Sequence, residues 1–231
     1  MDSVRRGLSP AVGDSSFPNG LVAQQGFNLI EIMISVAIIG IFLGIGIPAI
    51  GDWIQNRQVN VLAESIASGM RLAQSEAVQR NVPIDMVFTT SDVTSVTNPA
   101  SATLTVGGLA TTDQTPNWMV RVAGDTTSAG FLQGKMGTDG SGNARLSGPA
   151  GVSFSQLGRL SSSIAVDGTA TPPVGNVVFR IVNPSVRSAY GTLRCVYVGV
   201  GGAVRVCDPR AVPPDARACV PPLAAGACPP S

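Results

Sequence analysis

The sequence predicts an α+β protein, with one long N-terminal helix followed by a domain of short antiparallel strands. Three observations predict it. Residues 27–51, FNLIEIMISVAIIGIFLGIGIPAIG, form an apolar run with a single charge, Glu31. From Asp52 onward, Val59, Leu62, Ile66, Met70, Ala73 and Ala77 recur at three- and four-residue steps, the period of one helix face. Beyond Pro83 the pattern changes to short β-prone runs divided by Gly, Asn, Asp, Ser and Pro. The composition agrees, since 27 Gly and 17 Pro in 231 residues suit strands and turns better than a helical bundle.

Taken in order, residues 1–25 read as a disposable, disordered segment. The run 27–51 is long enough to span a bilayer, because about 20 helical residues at about 1.5 Å each cross the hydrocarbon core. It is too long for the apolar part of a cleaved secretory signal, and amphipathic helix follows it directly. A carboxylate at mid-membrane depth costs about 2.5–3.5 kcal/mol, which makes Glu31 a functional-site candidate. Gly40 and Gly44 form a small-xxx-small pair that lets helices approach closely. Pro48 removes a backbone hydrogen bond and is expected to kink or fray the helix nearby. The amphipathic part, 52–80, is expected to bury its stripe against a sheet and to end at Asn81 and Pro83.

Strands are expected at Ile84–Thr89, Ala102–Val106, Trp118–Ala123, Gly151–Ser155, Val177–Val182, Leu193–Val198 and Ala203–Cys207. Residues 90–115 and 123–148 are polar and rich in Gly, Ser and Thr, and read as long loops. The β-rich head is placed at 81–207. The tail, 208–231, is rich in Pro, Ala and Gly and cannot build a core.

The chain has no histidine, which removes the commonest general base, the commonest zinc ligand and every Ser-His or Cys-His pair. No catalytic residue, metal site or cofactor is expected, and an enzyme is disfavoured. The four cysteines, Cys195, Cys207, Cys219 and Cys228, lack the close spacing of structural zinc sites and favour disulfides in an oxidising compartment.

Gln25-Gly26-Phe27-Asn28-Leu29-Ile30-Glu31 ahead of the apolar run resembles the processing site of type IV prepilins. The resemblance implies that residues 1–26 are a leader, cut after Gly26 by a prepilin peptidase that then N-methylates Phe27. It implies an inner-membrane anchor, a periplasmic head, and assembly with other major and minor pilins or pseudopilins. The leader is long, and its basic residues, Arg5 and Arg6, lie far from the cut. Cleavage would place an ammonium on Phe27, four residues from Glu31. In staggered parallel helices Glu31 of one subunit could meet the Phe27 amine of the next, fixing the axial register. Gly40, Gly44 and Pro48 lie where pilin helices loosen on assembly.

Ala73-Gln-Ser-Glu-Ala77, Arg80-Asn-Val-Pro83, Trp118-Met-Val-Arg-Val, Phe154-Ser-Gln-Leu-Gly-Arg159 and Gly202-Ala-Val-Arg205-Val-Cys207 resemble landmarks of the GspH/FimT group. The resemblance implies a β-sandwich-like head and an accessory subunit of a type IV pilus at or near its tip. Two alternatives stand beside it: double-stranded DNA binding for uptake, and a minor pseudopilin of type II secretion. For DNA, the group's Gly-Arg-x-Arg motif is half present at Gly202–Arg205, where Ala203 replaces the first arginine. Arg194, Arg205 and Arg210 are the DNA-binding candidates. Residues 140–217 hold eight arginines against three aspartates, a net +5.

A hairpin centred on Gly201 sets Cys195 directly opposite Cys207, with Cα atoms about 4.5–5.5 Å apart. That geometry predicts a Cys195–Cys207 bond and leaves Cys219 with Cys228.

Overall fold

A computed structural model describes residues 28–105, 115–186, 192–220 and 228; the side chains of 45–50 and 52 lie outside the description. Helix α1 runs from Leu29 to Arg80 as one 52-residue α-helix. Its backbone stays helical through Pro48, in place of the fraying expected there. A proline removes one hydrogen bond, and turns on either side can still propagate. Asn81 stops the helix in the left-handed conformation (φ 56°), which asparagine tolerates well, and Pro83 follows.

The chain divides into two compact units, residues 1–45 and 46–231. In the first, every side chain from Asn28 to Gly44 is exposed, including Leu29, Ile30, Met33, Ile38 and Phe42. In the second, the stripe expected on the helix is the core: Val59, Ile66, Met70, Ala73 and Ala77 are fully buried, and Leu62 nearly so.

Among the described residues, ten strands form two antiparallel sheets. The first sheet holds β1 (Ile84–Thr89), β2 (Asn117–Val122), β3 (Phe131–Lys135), β5 (Gly151–Phe154), β6 (Leu160–Ile164) and β7 (Ala170–Thr171), in the order β3-β2-β1-β5-β6-β7. The second holds β4 (Arg145–Ser147), β8 (Val177–Val182), β9 (Leu193–Val198) and β10 (Val204–Cys207), in the order β10-β9-β8-β4. Both sheets share one core with the helix. Ile84, Met86, Phe88, Trp118, Val152 and Phe154 enter it from the first sheet, and Phe179, Ile181, Val196 and Val198 from the second. Phe88 and Phe179 meet edge-to-face across the sheets at 5.4 Å. The Trp118 indole N–H donates to the Ser65 hydroxyl on the helix (3.0 Å).

The sequence expectation needs correction at several strands. Ala102–Val106 is not a strand: Leu104 makes an isolated bridge to Thr89, and Val106 lies outside the described residues. The segment 123–148, expected as loop, contains β3 and β4. β6 and β7 also escape the pattern reading. Their sequences, LSSSI and AT, lack a continuous apolar face, and pairing to a neighbour holds them instead.

Gln74 joins the two sheets to the helix. Its amide donates to the Gly158 carbonyl (2.8 Å) in the β5–β6 turn. Gly202, in the β9–β10 turn, lies so close that a Cβ there would sit 2.1 Å from the same oxygen and 2.5 Å from the Gln74 amide nitrogen. Gly202 also has φ 93°. Gly202→Ala should therefore destabilise the head by on the order of 3 kcal/mol, combining backbone strain with a clash against main chain. Denaturant unfolding of the full chain in detergent, followed by the buried Trp118, checks this; an unchanged midpoint would contradict the contact.

Candidate functional site

Three groups of residues carry the functional expectations, and the fold positions each differently. The first is the start of α1. Gly26 and Phe27, the expected processing site, lie outside the described residues. Asn28 begins the helix: its carbonyl accepts from the Glu31 N–H (3.0 Å) and the Ile32 N–H (3.2 Å). Glu31 thus occupies the first turn, where a carboxylate is favourable against the helix dipole. The Ser35 hydroxyl donates to the Glu31 carbonyl (2.7 Å), so the serine is satisfied within the helix. Among the described residues the Glu31 carboxylate makes no ion pair, and it is surrounded by exposed aliphatic side chains. A helix apolar all round is not a stable solvent-facing element and calls for a cover. Of the segment 27–51 expected to cross the membrane, Phe27 and the side chains of 45–50 lie outside the described residues. Among the described residues no helix is long and apolar enough to cross a membrane.

The second group is the cysteines. The hairpin register is as expected, with Cys195 directly opposite Cys207 and Val198 opposite Val204. The bonds are not. Cys195 joins Cys228, with Cα atoms 6.4 Å apart, and Cys207 joins Cys219, at 5.0 Å. The Cys195–Cys207 and Cys219–Cys228 pairing is therefore corrected. Directly opposed side chains in a sheet run parallel with Cβ atoms about 4.5–5.5 Å apart, whereas a disulfide draws them to about 3.5–4.5 Å. Both sulfurs point instead to the sheet face turned away from the helix. Tyr197, on that face, donates its hydroxyl to the Val220 carbonyl (2.7 Å). With the four cysteines it forms a small apolar cluster that seats the tail. Non-reducing peptide mapping of the oxidised chain should recover 195–228 and 207–219 linkages; a 195–207 peptide would reverse the correction.

The third group is the arginines. Arg194 is committed, donating to the Asp208 carboxylate (2.7 Å) with both side chains mostly buried. Arg205 is exposed on β10, opposite Tyr197, and donates to the Val220 carbonyl (3.3 Å). Arg210 is exposed. Arg180, opposite Cys195 on β8, was not singled out in the sequence. Burial first, then the charge of Arg210, hold its guanidinium below the ordinary arginine range. Arg180, Arg205 and Arg210 thus gather around the tail-bearing side of the second sheet, while Arg194 does not add a free charge.

One charged pair has no counterpart in the sequence reading. Asp85 and Arg121 are opposite residues of β1 and β2, on the first sheet's face away from the helix, and both are buried (8% and 9% exposed). Their closest atoms are 3.6 Å apart. Arg121 also donates to the Pro99 carbonyl, tying the 90–105 connection to the sheet. Desolvation raises the Asp85 pKa, outweighing the lowering by Ser153 and Arg121. Among the described residues no cluster of His, Cys, Asp or Glu could hold a metal ion.

A long helix, apolar at its start and amphipathic where two antiparallel sheets pack on it, is the α+β arrangement expected from the sequence. The comparisons with known proteins point to type IV pilins. Similar relatives include the type IV major alpha-pilin of Moraxella bovis, 37% identical over 62 residues, which are 27% of this chain and 39% of that protein. The type IV major fimbrial protein FimA of Dichelobacter nodosus is 45% identical over 56 residues, 24% of this chain and 34% of that one. The chain thus spans well under half the length of these curated relatives. Among solved structures, the type IV minor pilin FimU of Pseudomonas aeruginosa is similar with a TM-score of 0.45 and 14% identity, covering 70% of this chain and 97% of that one. No family model matches.

Proposed function

We propose that this chain is a minor pilin of a type IV pilus, incorporated through its N-terminal helix and supporting assembly at or near the tip. The observation that carries the reading is the all-round apolar helix from Leu29 to Leu43, exposed throughout and bearing one carboxylate, Glu31. Such a surface requires lipid before assembly and other apolar helices after it. In this reading a prepilin peptidase cuts after Gly26, the helix is held in the inner membrane with the head in the periplasm, and Phe27 supplies the amine for Glu31.

Deletion of the gene, with surface pili, protein secretion and transformation scored separately, tests the reading. Loss of pili restored by the wild-type gene is the expected result. Lost secretion with intact pili would replace it with a type II secretion pseudopilin. Intact-mass analysis of the membrane-extracted chain should begin at a methylated Phe27, and retention of residues 1–26 in a peptidase-competent host would contradict the processing step.

A second reading, DNA binding for uptake, draws on the gathering of Arg180, Arg205 and Arg210 beside the tail. It expects transformation to fall while pili persist, and duplex affinity to decline steeply with salt.

A further inference from the structure

We infer that the edge of β10 is a docking slot for an extended acidic segment of a neighbouring pilin subunit. The inference rests on the pilus reading for its partner, but the slot itself stands on four observations.

β10 is the outermost strand of the second sheet, so among the described residues one side of its backbone has no strand neighbour along Val204–Val206. Among its described residues the tail covers only the end of that edge. The Asp208 N–H donates to the Arg217 carbonyl (2.7 Å), and Asp208 bridges Ala218 in parallel register. Beyond that bridge the tail leaves the edge and crosses to the sheet face, where Tyr197 and Arg205 take the Val220 carbonyl. What remains is a recess of about 250 Å³ between the strand, the tail and α1, lined by Val204, Val206, Ala218 and Val220.

Two arginines frame this recess from different elements: Arg205 from the strand and Arg71 from the helix. Both are exposed, and among the described residues neither has a carboxylate partner. The nearby acids are engaged elsewhere, Asp208 with Arg194 and Asp215 with Arg217. An unpaired strand edge offers a ladder of alternating N–H and C=O groups, which an added strand satisfies. Two uncompensated guanidiniums at its mouth select carboxylates by charge and by bidentate geometry. A duplex would engage arginines projecting from an open face. A narrow recess walled by the tail suits a single extended chain instead. The partner chemistry is therefore a strand-forming peptide with carboxylates at adjacent positions, which project to opposite faces of the added strand, reaching Arg205 on one side and Arg71 on the other.

The test uses the full-length oxidised chain in detergent. The probe is a labelled peptide, acetyl-Thr-Val-Asp-Glu-Val-Thr-amide, whose neighbouring acids face opposite sides of a strand, followed by anisotropy. A peptide with Asn and Gln in place of the acids and a short duplex DNA are run in parallel. The expected result is binding of the acidic peptide alone, with slowed amide exchange at residues 204–206. Arg71→Gln and Arg205→Gln should each weaken binding about tenfold, the loss of one charge-assisted contact. Arg205 also holds the tail, so Arg71→Gln, which touches no tail hydrogen bond, is the decisive variant. Arg57→Gln, on a different part of the helix, should leave affinity unchanged. No peptide binding, equal binding of the neutral peptide, or preferential binding of the duplex with the same dependence on Arg71 and Arg205 would each overturn the inference. A chain that binds the peptide but never enters pili would refute the pilus reading and leave the slot intact.

Discussion

Arg121→Met should cost the head about 3–5 kcal/mol, because it leaves the Asp85 carboxylate buried with no compensating charge. The methionine fills similar space, so the loss is electrostatic and not a cavity effect. The variant also removes the donor that holds Pro99, which loosens the 90–105 connection. Replacing both partners, as Asp85→Val with Arg121→Met, should recover much of the loss, since two apolar residues in register between strands pack without desolvating charge. The pH dependence separates this account from simple repacking. In the wild-type head the Asp85 pKa is raised above its ordinary 3.8. The folded state therefore binds this proton more tightly than the unfolded chain. Stability from this group is greatest below the unfolded value and declines as pH rises towards the raised one. Without Arg121 the pKa climbs further, and the declining window extends upward. Urea unfolding of Arg121→Met, followed by Trp118, should show a smaller deficit at mildly acidic pH than at neutral pH. A deficit independent of pH, or a double variant as unstable as the single one, would refute the mechanism.

Glu31→Ala is expected to leave membrane insertion and cleavage intact and to remove the chain from sheared filaments. The substitution deletes the one charge in a run of exposed aliphatic residues, so insertion becomes easier by a fraction of about 2.5–3.5 kcal/mol. Assembly has the opposite dependence. Between packed helices the Phe27 ammonium of a neighbour would be left without its carboxylate, a penalty of several kcal/mol, which corresponds to a loss of incorporation by a factor of about 100 or more. Quantitative immunoblots of membrane and filament fractions give both halves of the result. Mutant subunit at wild-type level in the filaments would sink the pairing role.

The sequence reading succeeded where a single period carries the information. The helix face from Val59 to Ala77 could be written down from spacing alone, and those residues are buried, with Ala63 and Ala67 beside them. The same holds for β1, β8 and β9, where β-branched and aromatic residues run together. It failed where structure depends on a neighbour. β6 is three serines between Leu160 and Ile164 and is a strand because β5 pairs with it. Asp85 and Arg121 meet only through the β1–β2 register. The cysteines teach a finer point. The opposition of Cys195 and Cys207 was legible from the glycine turn, but which sulfurs bond depends on where the tail lies across the sheet. Nothing in the spacing of 208–231 specifies that path. The arginines divide in the same way: clustering on one side of the sheet follows from register, whereas the withdrawal of Arg194 needs the position of Asp208.

The two disulfides also determine how tension would travel through the head. The loop closed by Cys207 and Cys219 lies within the one closed by Cys195 and Cys228. A pull on the last residues reaches Cys228 and passes through its sulfur to Cys195, in the middle of β9. β9 is hydrogen-bonded on both sides, to β8 and β10. The load therefore bypasses the edge strand, which would otherwise peel one hydrogen bond at a time, and enters a strand whose two ladders must shear together. Reduction of that one bond would reroute the force through the tail to Cys219 and Cys207, and so onto β10.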